Sequence, residues 1–293
     1  MRAFENHSRD QASGLRKMAS IKPVRVITIT GGKGGIGKTN ITANMAVALA
    51  NKGKKVLVLD ADLGLANMDI VLGLESKYNI SHVVKGEKTL NEIIIDGPSG
   101  IKIVPAASGV KEMASMGYRE HAGIIREFNT LSYKPEILLV DSAAGISNDL
   151  VAFSRASHDV IVVVCDEPAS ITDAYALIKL LDREHGIKKF RIITNMVKTH
   201  ADGRILFNKL LKVSDKFLDV TLDYIGAIPY DDYLKKSIQK QKPVVNAYPR
   251  SISATAICKY SDKIDRWPSP SVPSGHIEFF FEQLFFSQNK LMA

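Results

Sequence analysis

Short β-branched runs alternate with longer helical patterns through most of the chain. The first run, Val24 to Thr30, leads into a helical pattern over 38–52, then a strand from Lys55 to Leu59 and a helix near Met68 to Leu72. Later strands are predicted at Ile101 to Pro105, Glu136 to Asp141, Asp159 to Asp166, Phe190 to Asn195 and Thr221 to Pro229, with helices over 119–132, 146–156, 170–185, 203–217 and 251–264. Runs such as Ile137-Leu138-Leu139-Val140 and Val160 to Cys165 carry no polar alternation. Such strands are buried on both faces, which calls for a mostly parallel sheet with helices on each side. The expected fold is therefore α/β, doubly wound, with ligands at the carboxyl ends of its strands. Four segments are expected: a polar tail over 1–22, one large domain over 23–265, a proline- and serine-rich linker over 266–275 and a helix over 276–293. The prolines between Trp267 and Gly275 cannot continue a helix, since they lack donors and restrict the residues before them.

Composition sharpens this picture. The 293 residues include 45% hydrophobic ones, enough for a substantial core, and the formal net charge is +8, which favours an acidic partner: nucleic acid, anionic lipid or acidic protein. Cys165 and Cys258 are the only cysteines, which points away from a disulfide framework and towards a reducing cytoplasm. Cys165, within an apolar strand, reads as a core residue. No apolar run approaches the length of a membrane span, and Met1 to Ser20 lacks the character of a signal peptide, so the chain is expected neither to be secreted nor to cross a membrane. The seven histidines show no metal-ligand spacing.

The strongest chemistry lies at residues 32–39, Gly-Lys-Gly-Gly-Ile-Gly-Lys-Thr, between a strand and a helix. A glycine-rich turn there aims backbone N–H groups at one point, and the helix N-terminus adds its dipole, so the natural guest is phosphate. Lys38 would neutralise β- and γ-phosphate charge and Thr39 would place its hydroxyl on Mg²⁺. The strand ending in Asp60-Ala61-Asp62 delivers two carboxylates to the same edge, where one serves the metal and the other an attacking water; the plain alternative is an N-cap. Asp141 ends another apolar strand, and the small residues up to Gly145 allow backbone to approach phosphate closely. Guanine-reading NKxD is absent, because Asn195-Met196-Val197-Lys198 stands where it would fall, so adenine is expected as the base.

With Lys33 the loop reads KGGIGKT, which resembles the deviant phosphate loop of MinD/ParA-type ATPases; the similarity spans roughly Val24 to Ile264. The resemblance implies a slow, Mg²⁺-dependent hydrolysis of ATP in which Lys33 reaches the phosphates of a partner subunit, so that ATP clasps a homodimer and hydrolysis releases it. The competing reading of Lys33 is a solvated loop charge. By the same resemblance Gly32, Lys33, Gly34, Gly35, Ile36, Gly37, Lys38, Thr39 and Asn40 cradle the nucleotide. Asp62 orients the water, Asp60 supports the Mg²⁺ shell and Asp141 holds a metal-bound water. Asn195 contacts adenine, with the Pro229-Tyr230-Asp231 turn across from it; otherwise Asn195 simply satisfies a loop.

Two tails resemble the FlhG/FleN (YlxH) branch of flagellar-number regulators. Asp10-Gln11-Ala12-Ser13-Gly14-Leu15-Arg16 matches that branch's DQAxxLR element, which implies that Gln11 activates an FlhF-type GTPase while Leu15 and Arg16 dock it. Ile277, Phe280, Phe281, Leu284 and Phe285 share one side of the last helix, which suits either packing on the core or reversible inner-membrane contact. The implied localisation is cytoplasmic with ATP-dependent membrane association, and the implied partners include a FleQ/FlrA-type transcription activator and switch-complex (C-ring) proteins. The basic stretches from Lys188 to Arg204 and from Lys235 to Lys242 read as solvated faces, the alternative being a DNA- or lipid-facing surface, with direct DNA binding disfavoured. Three rivals differ in class: a ParA-type DNA-partitioning ATPase, a noncatalytic ATP-binding switch, and an iron protein, which the lack of paired cysteines opposes.

Overall fold

The computed structural model describes residues 24–62, 68–105, 127–128 and 130–268. The first half of the order is β1 (Arg25–Thr30), α1 (Lys38–Ala50), β2 (Val56–Ala61), α2 (Met68–Leu72), α3 (Ile80–Val84), α4 (Leu90–Ile93), β3 (Ile95–Asp96), β4 (Lys102–Pro105) and β5 (Ile137–Ser142). The second half is α5 (Asn148–Ala156), β6 (Asp159–Cys165), α6 (Pro168–Arg183), β7 (Lys189–Val197), α7 (His200–Phe217), β8 (Thr221–Pro229), α8 (Asp232–Gln239), α9 (Val244–Ala247) and α10 (Ile252–Asp265). The strands form one sheet in the order β3-β4-β2-β5-β1-β6-β7-β8, parallel except for the short β3.

Burial on both faces explains the apolar strands. In β6, Ile161, Val163 and Cys165 pack into one cluster with α1 and α10, while Val160, Val162 and Val164 pack into another with α6 and α7. In β5, Leu139 faces the first cluster while Leu138 and Val140 join a third containing Phe153 of α5. Period-two alternation therefore survives in the tertiary structure, but both sides are apolar because both sides are covered. Helix α7 lies close on the sheet at Gly203, where a Cβ would sit 2.4 Å from the Ala227 Cβ and 2.6 Å from the Thr194 hydroxyl.

The doubly wound α/β fold agrees with the sequence expectation, and the structure moves several boundaries. Helix α7 begins at His200, earlier than residue 203, because Thr199 and Asp202 cap each other reciprocally. Helix α6 begins at Pro168, whose missing N–H costs nothing at a first helical position. The segments α3, α4, β3, α8 and α9 were not foreseen. Of these, α3, α4 and α9 are four or five residues long, too short to show a helical period. In α8, Asp231 caps by accepting from the Tyr233 amide at 2.8 Å, and its other oxygen accepts from Ser253 N at 3.0 Å and Ser253 Oγ at 2.7 Å. Most of the helix predicted over 119–132 lies outside the described residues. So do the candidates Gln11, Leu15, Arg16, Ile277, Phe280, Phe281, Leu284 and Phe285, and most of the linker.

Candidate functional site

The carboxyl ends of β1, β2 and β5 stand side by side and bring the predicted chemistry together. Parallel register pairs Asp60 with Asp141 and Ile29 with Asp141, so the two acids occupy neighbouring strands just behind the loop that follows β1. That loop turns through left-handed backbone at Gly35, φ +76°, and at Gly37, φ +86°. Glycine meets this requirement without the Cβ penalty, and at Gly37 a Cβ would also lie 2.5 Å from Asn195 Nδ2. Helix α1 starts directly at Lys38, so its first amides, without intrahelical acceptors, point into the loop.

Lys38 is 7% exposed, and its Nζ lies 3.5 Å from the Lys33 carbonyl at the loop's start. Burial lowers its pKa, opposed by Asp141 and Asp62. Asp141 is fully buried and Asp60 is 3% exposed. Burial first, then the neighbouring Asp141 charge, pushes Asp60 up to about 7 despite amide donors at Met68 and Asp62. Burial likewise pushes Asp141 up to about 6, against hydrogen bonds from Thr39 and Thr42 and the charge of Lys38. Such paired acids, too close and too dry to ionise freely, suit a site completed by a cation.

The donor chemistry fits magnesium. Asp141 Oδ2 is buried without a hydrogen-bond partner, while Thr39 and Asp60 add further oxygens beside it. Among the described residues no three His, Cys, Asp or Glu side chains converge, so a metal here would draw its remaining ligands from phosphate and water. Asp62 is half-buried, and its amide lies 3.5 Å from Asp60 Oδ1. The segment after Asp141 is tied to the loop: Gly145 N donates to the Gly31 carbonyl at 3.2 Å and Ser142 Oγ to the Ile29 carbonyl at 3.0 Å.

Lys33 behaves differently from Lys38. Its ammonium pairs with Glu167, the residue preceding α6, and both side chains are substantially exposed. Glu167 occupies the N-cap position of α6 yet makes no side-chain cap, its carboxylate being engaged by Lys33. Asn195 is brought to the loop rather than left at its own strand end. It donates from Nδ2 to the Ile36 carbonyl at 2.8 Å, and the bulge at Met196, φ +56°, marks the turn that follows. Beside it a cavity of about 30 Å³ is lined by Gly37, Asn40, Asn195, Met196 and Ile228. Pro229 ends β8 next to it, whereas Tyr230 is exposed and Asp231 is committed to the α8 and α10 termini.

Sequence reading missed two participants. Thr42 Oγ1 stands 3.0 Å from Asp141 Oδ1, one helical turn after Thr39, a spacing that marks a shared helix face. Glu167 followed by Pro168 after an apolar strand was the available sign of a second acid at the site rim. The basic stretch beginning at Lys188 is largely compensated: Lys188 pairs with Asp182, Lys189 with Asp223, and Arg191 with Asp159 and Asp223. No helix among the described residues is long and apolar enough to cross a membrane.

With this geometry in place, residues 27–244 match the model of the CobQ/CobB/MinD/ParA nucleotide binding domain. The chain is 51% identical to the antiactivator FleN of Pseudomonas aeruginosa, covering 92% of this chain and 96% of that protein. It is 34% identical to the flagellum site-determining protein YlxH of Helicobacter pylori, covering 85% and 87% respectively. Among solved structures it resembles the septum site-determining protein MinD of Pyrococcus horikoshii, complexed with Mg-ADP, at 27% identity and a TM-score of 0.60, covering 83% of this chain and 96% of that one.

Proposed function

The chain belongs to the MinD/ParA family of nucleotide-binding ATPases, in the branch that contains FleN and YlxH, and from that membership we propose that it is an ATP-dependent dimerising switch setting flagellar number and placement. The observation that carries the proposal is the division of labour between two loop lysines. Lys38 is buried inside its own loop, while the Lys33 ammonium lies at the exposed rim, held by a solvent-facing carboxylate. A cation held that way is available to a facing subunit at little energetic cost.

ATP would bind with its phosphates on the loop amides and Lys38 and its adenine towards Asn195 and Pro229, and Thr39, Asp60 and Asp141 would hold Mg²⁺. The metal supplies charge neutralisation at the phosphates. Asp62 orients the attacking water, and Lys33 of each subunit stabilises charge in the other's site. Gly145 and Gly31, bonded to each other, transmit loss of the γ-phosphate to the dimer face. The finer outputs follow the flagellar branch. Gln11, Leu15 and Arg16 stimulate an FlhF-type GTPase, the ATP-bound dimer restrains a FleQ/FlrA-type activator and contacts C-ring proteins, and the segment 276–293 holds the dimer reversibly on the inner membrane.

Sedimentation of wild type and Lys33→Ala with a nonhydrolysable ATP mimic and magnesium tests the core of this reading. Wild type is expected to dimerise, and the variant to bind the mimic with near-normal affinity yet stay monomeric. A monomeric wild type, lipid included, overturns the switch. Asp62→Ala is expected to retain ATP binding and lose phosphate release, and normal turnover removes its assigned role.

A further inference from the structure

A second cleft, of about 650 Å³, opens on the outer edge of β8 between α7 and α10, and the nucleotide reaction makes no use of it. It begins with an edge strand, whose outward backbone groups need partners. Tyr260 of α10 supplies them at one residue, its hydroxyl donating to the Ala227 carbonyl at 2.7 Å and accepting from the Ala227 amide at 2.9 Å. Lys263 donates to the Ile225 carbonyl at 2.6 Å. Gly226 makes the approach feasible, since a Cβ there would lie 2.2 Å from the Tyr260 ring. These contacts fix α10 against the strand with Lys259 and Lys263, one turn apart, along the cleft.

The other walls are also cationic. Arg204 of α7 lies over the Tyr224 ring, 4.4 Å from its centroid, and Arg250 stands just before α10. No carboxylate lines the cleft, and none of Arg204, Arg250, Lys259 and Lys263 forms a salt bridge among the described residues. Burial, Lys259 and Arg204 together hold the Lys263 ammonium below its usual range. This contrasts with Lys188, just before the neighbouring strand, and with Lys189 and Arg191 on it, each of which has a carboxylate partner. Four cations that have no carboxylate partner among the described residues crowd one concavity, and an anion entering it relieves their mutual repulsion.

Size and donor type narrow the guest. A few hundred cubic ångströms is the scale of a small-molecule site rather than of a duplex backbone. Guanidinium forks beside ammonium points match phosphate oxygens, and cations on three walls suit more than one phosphate group. The cleft is also separate from the phosphate loop, for β8 lies three strands from β1, on the order of 14 Å across the sheet. We infer that the β8–α10 cleft is a second, non-catalytic binding site for a small molecule carrying two or more phosphate groups.

The test is calorimetric titration of the full chain, its phosphate loop saturated with ADP, using inorganic tripolyphosphate in one arm and adenosine 3′,5′-bisphosphate in the other. One site per chain is expected for at least one probe. Tighter binding of tripolyphosphate identifies a free polyphosphate as the guest, and tighter binding of the bisphosphate a nucleotide. Arg250→Glu with Lys259→Glu is expected to weaken binding by roughly tenfold or more, because two charge-assisted contacts are reversed, while the exposed control Lys212→Glu changes it by less than about twofold. ADP affinity, unchanged in every variant, reports an intact fold. As an independent readout, the bound probe is expected to raise the thermal midpoint of wild type but not of the double variant. The inference is overturned if neither probe binds with ADP in place, if Lys212→Glu weakens binding as much as the double variant, or if only duplex DNA responds to the substitutions.

Discussion

Replacing Asp60 with asparagine is expected to make the nucleotide-free protein more stable above neutral pH. Asp60 rises from an ordinary 3.8 to about 7 in the folded state, chiefly because it is buried and because Asp141 stands beside it. The folded state therefore holds the proton more tightly than the unfolded chain. The associated stability is complete below the unfolded pKa and is lost as pH rises through about 7. A difference of about 3 units corresponds to roughly 4 kcal/mol of penalty at about pH 8, of which somewhat under half is already present at about pH 5. Asparagine carries no charge to bury. It can still accept from the Met68 amide but loses the second carboxylate oxygen, at a cost of about 1 kcal/mol. The net gain is then about 3 kcal/mol at about pH 8 and well under half of that at about pH 5. Urea unfolding of both proteins at the two pH values, without nucleotide or magnesium, measures it, and the difference between proteins cancels those titrating groups that do not interact with Asp60. A variant no more stable than wild type at the higher pH, or a gap that fails to widen with pH, would refute the idea that the acid pair is held at the expense of stability.

Gly37→Ala places a Cβ in left-handed backbone and 2.5 Å from Asn195 Nδ2. Expected are a loss of about 1–3 kcal/mol in thermal unfolding and a clear fall in nucleotide affinity. Glu167→Gln frees Lys33 from an exposed pair, so stability should change little while dimerisation with an ATP mimic, followed by sedimentation, begins at lower protein concentration. Tyr260→Phe removes both hydrogen bonds at Ala227, and urea unfolding should show a loss of about 1–3 kcal/mol because a buried amide and carbonyl lose their partner.

Much of the site was legible in the chain because its parts are local. The phosphate loop is one continuous turn whose glycines carry their own backbone requirement, and Asp60 and Asp141 each end an apolar strand whose direction fixes where they emerge. Unbroken apolar strands likewise imply a sheet covered on both faces, which is why the fold class could be read without any knowledge of strand order. Helix α8 escaped because its amphipathic pattern spans only eight residues, and α9 because it is a single turn; the Asp231 bonds to Ser253 tie the start of α8 to α10.

The tertiary structure alone decided how distant residues meet. Strand order sets Asp60 directly across from Asp141, and burying both there, rather than either residue's identity, raises their proton affinities. Lys33 meets Glu167 across 134 positions, and Thr42 meets Asp141 across 99. Arg204 reads as part of a solvated basic face in sequence, yet it shares a cleft with Lys259 because α10 returns along the edge of β8 beside α7. Sequence determines which groups each strand end and helix face offers, since that follows from short-range periodicity. Which groups share a dielectric environment is settled only when the sheet closes on its helices, because desolvation and Coulomb interactions depend on distance in space and not along the chain.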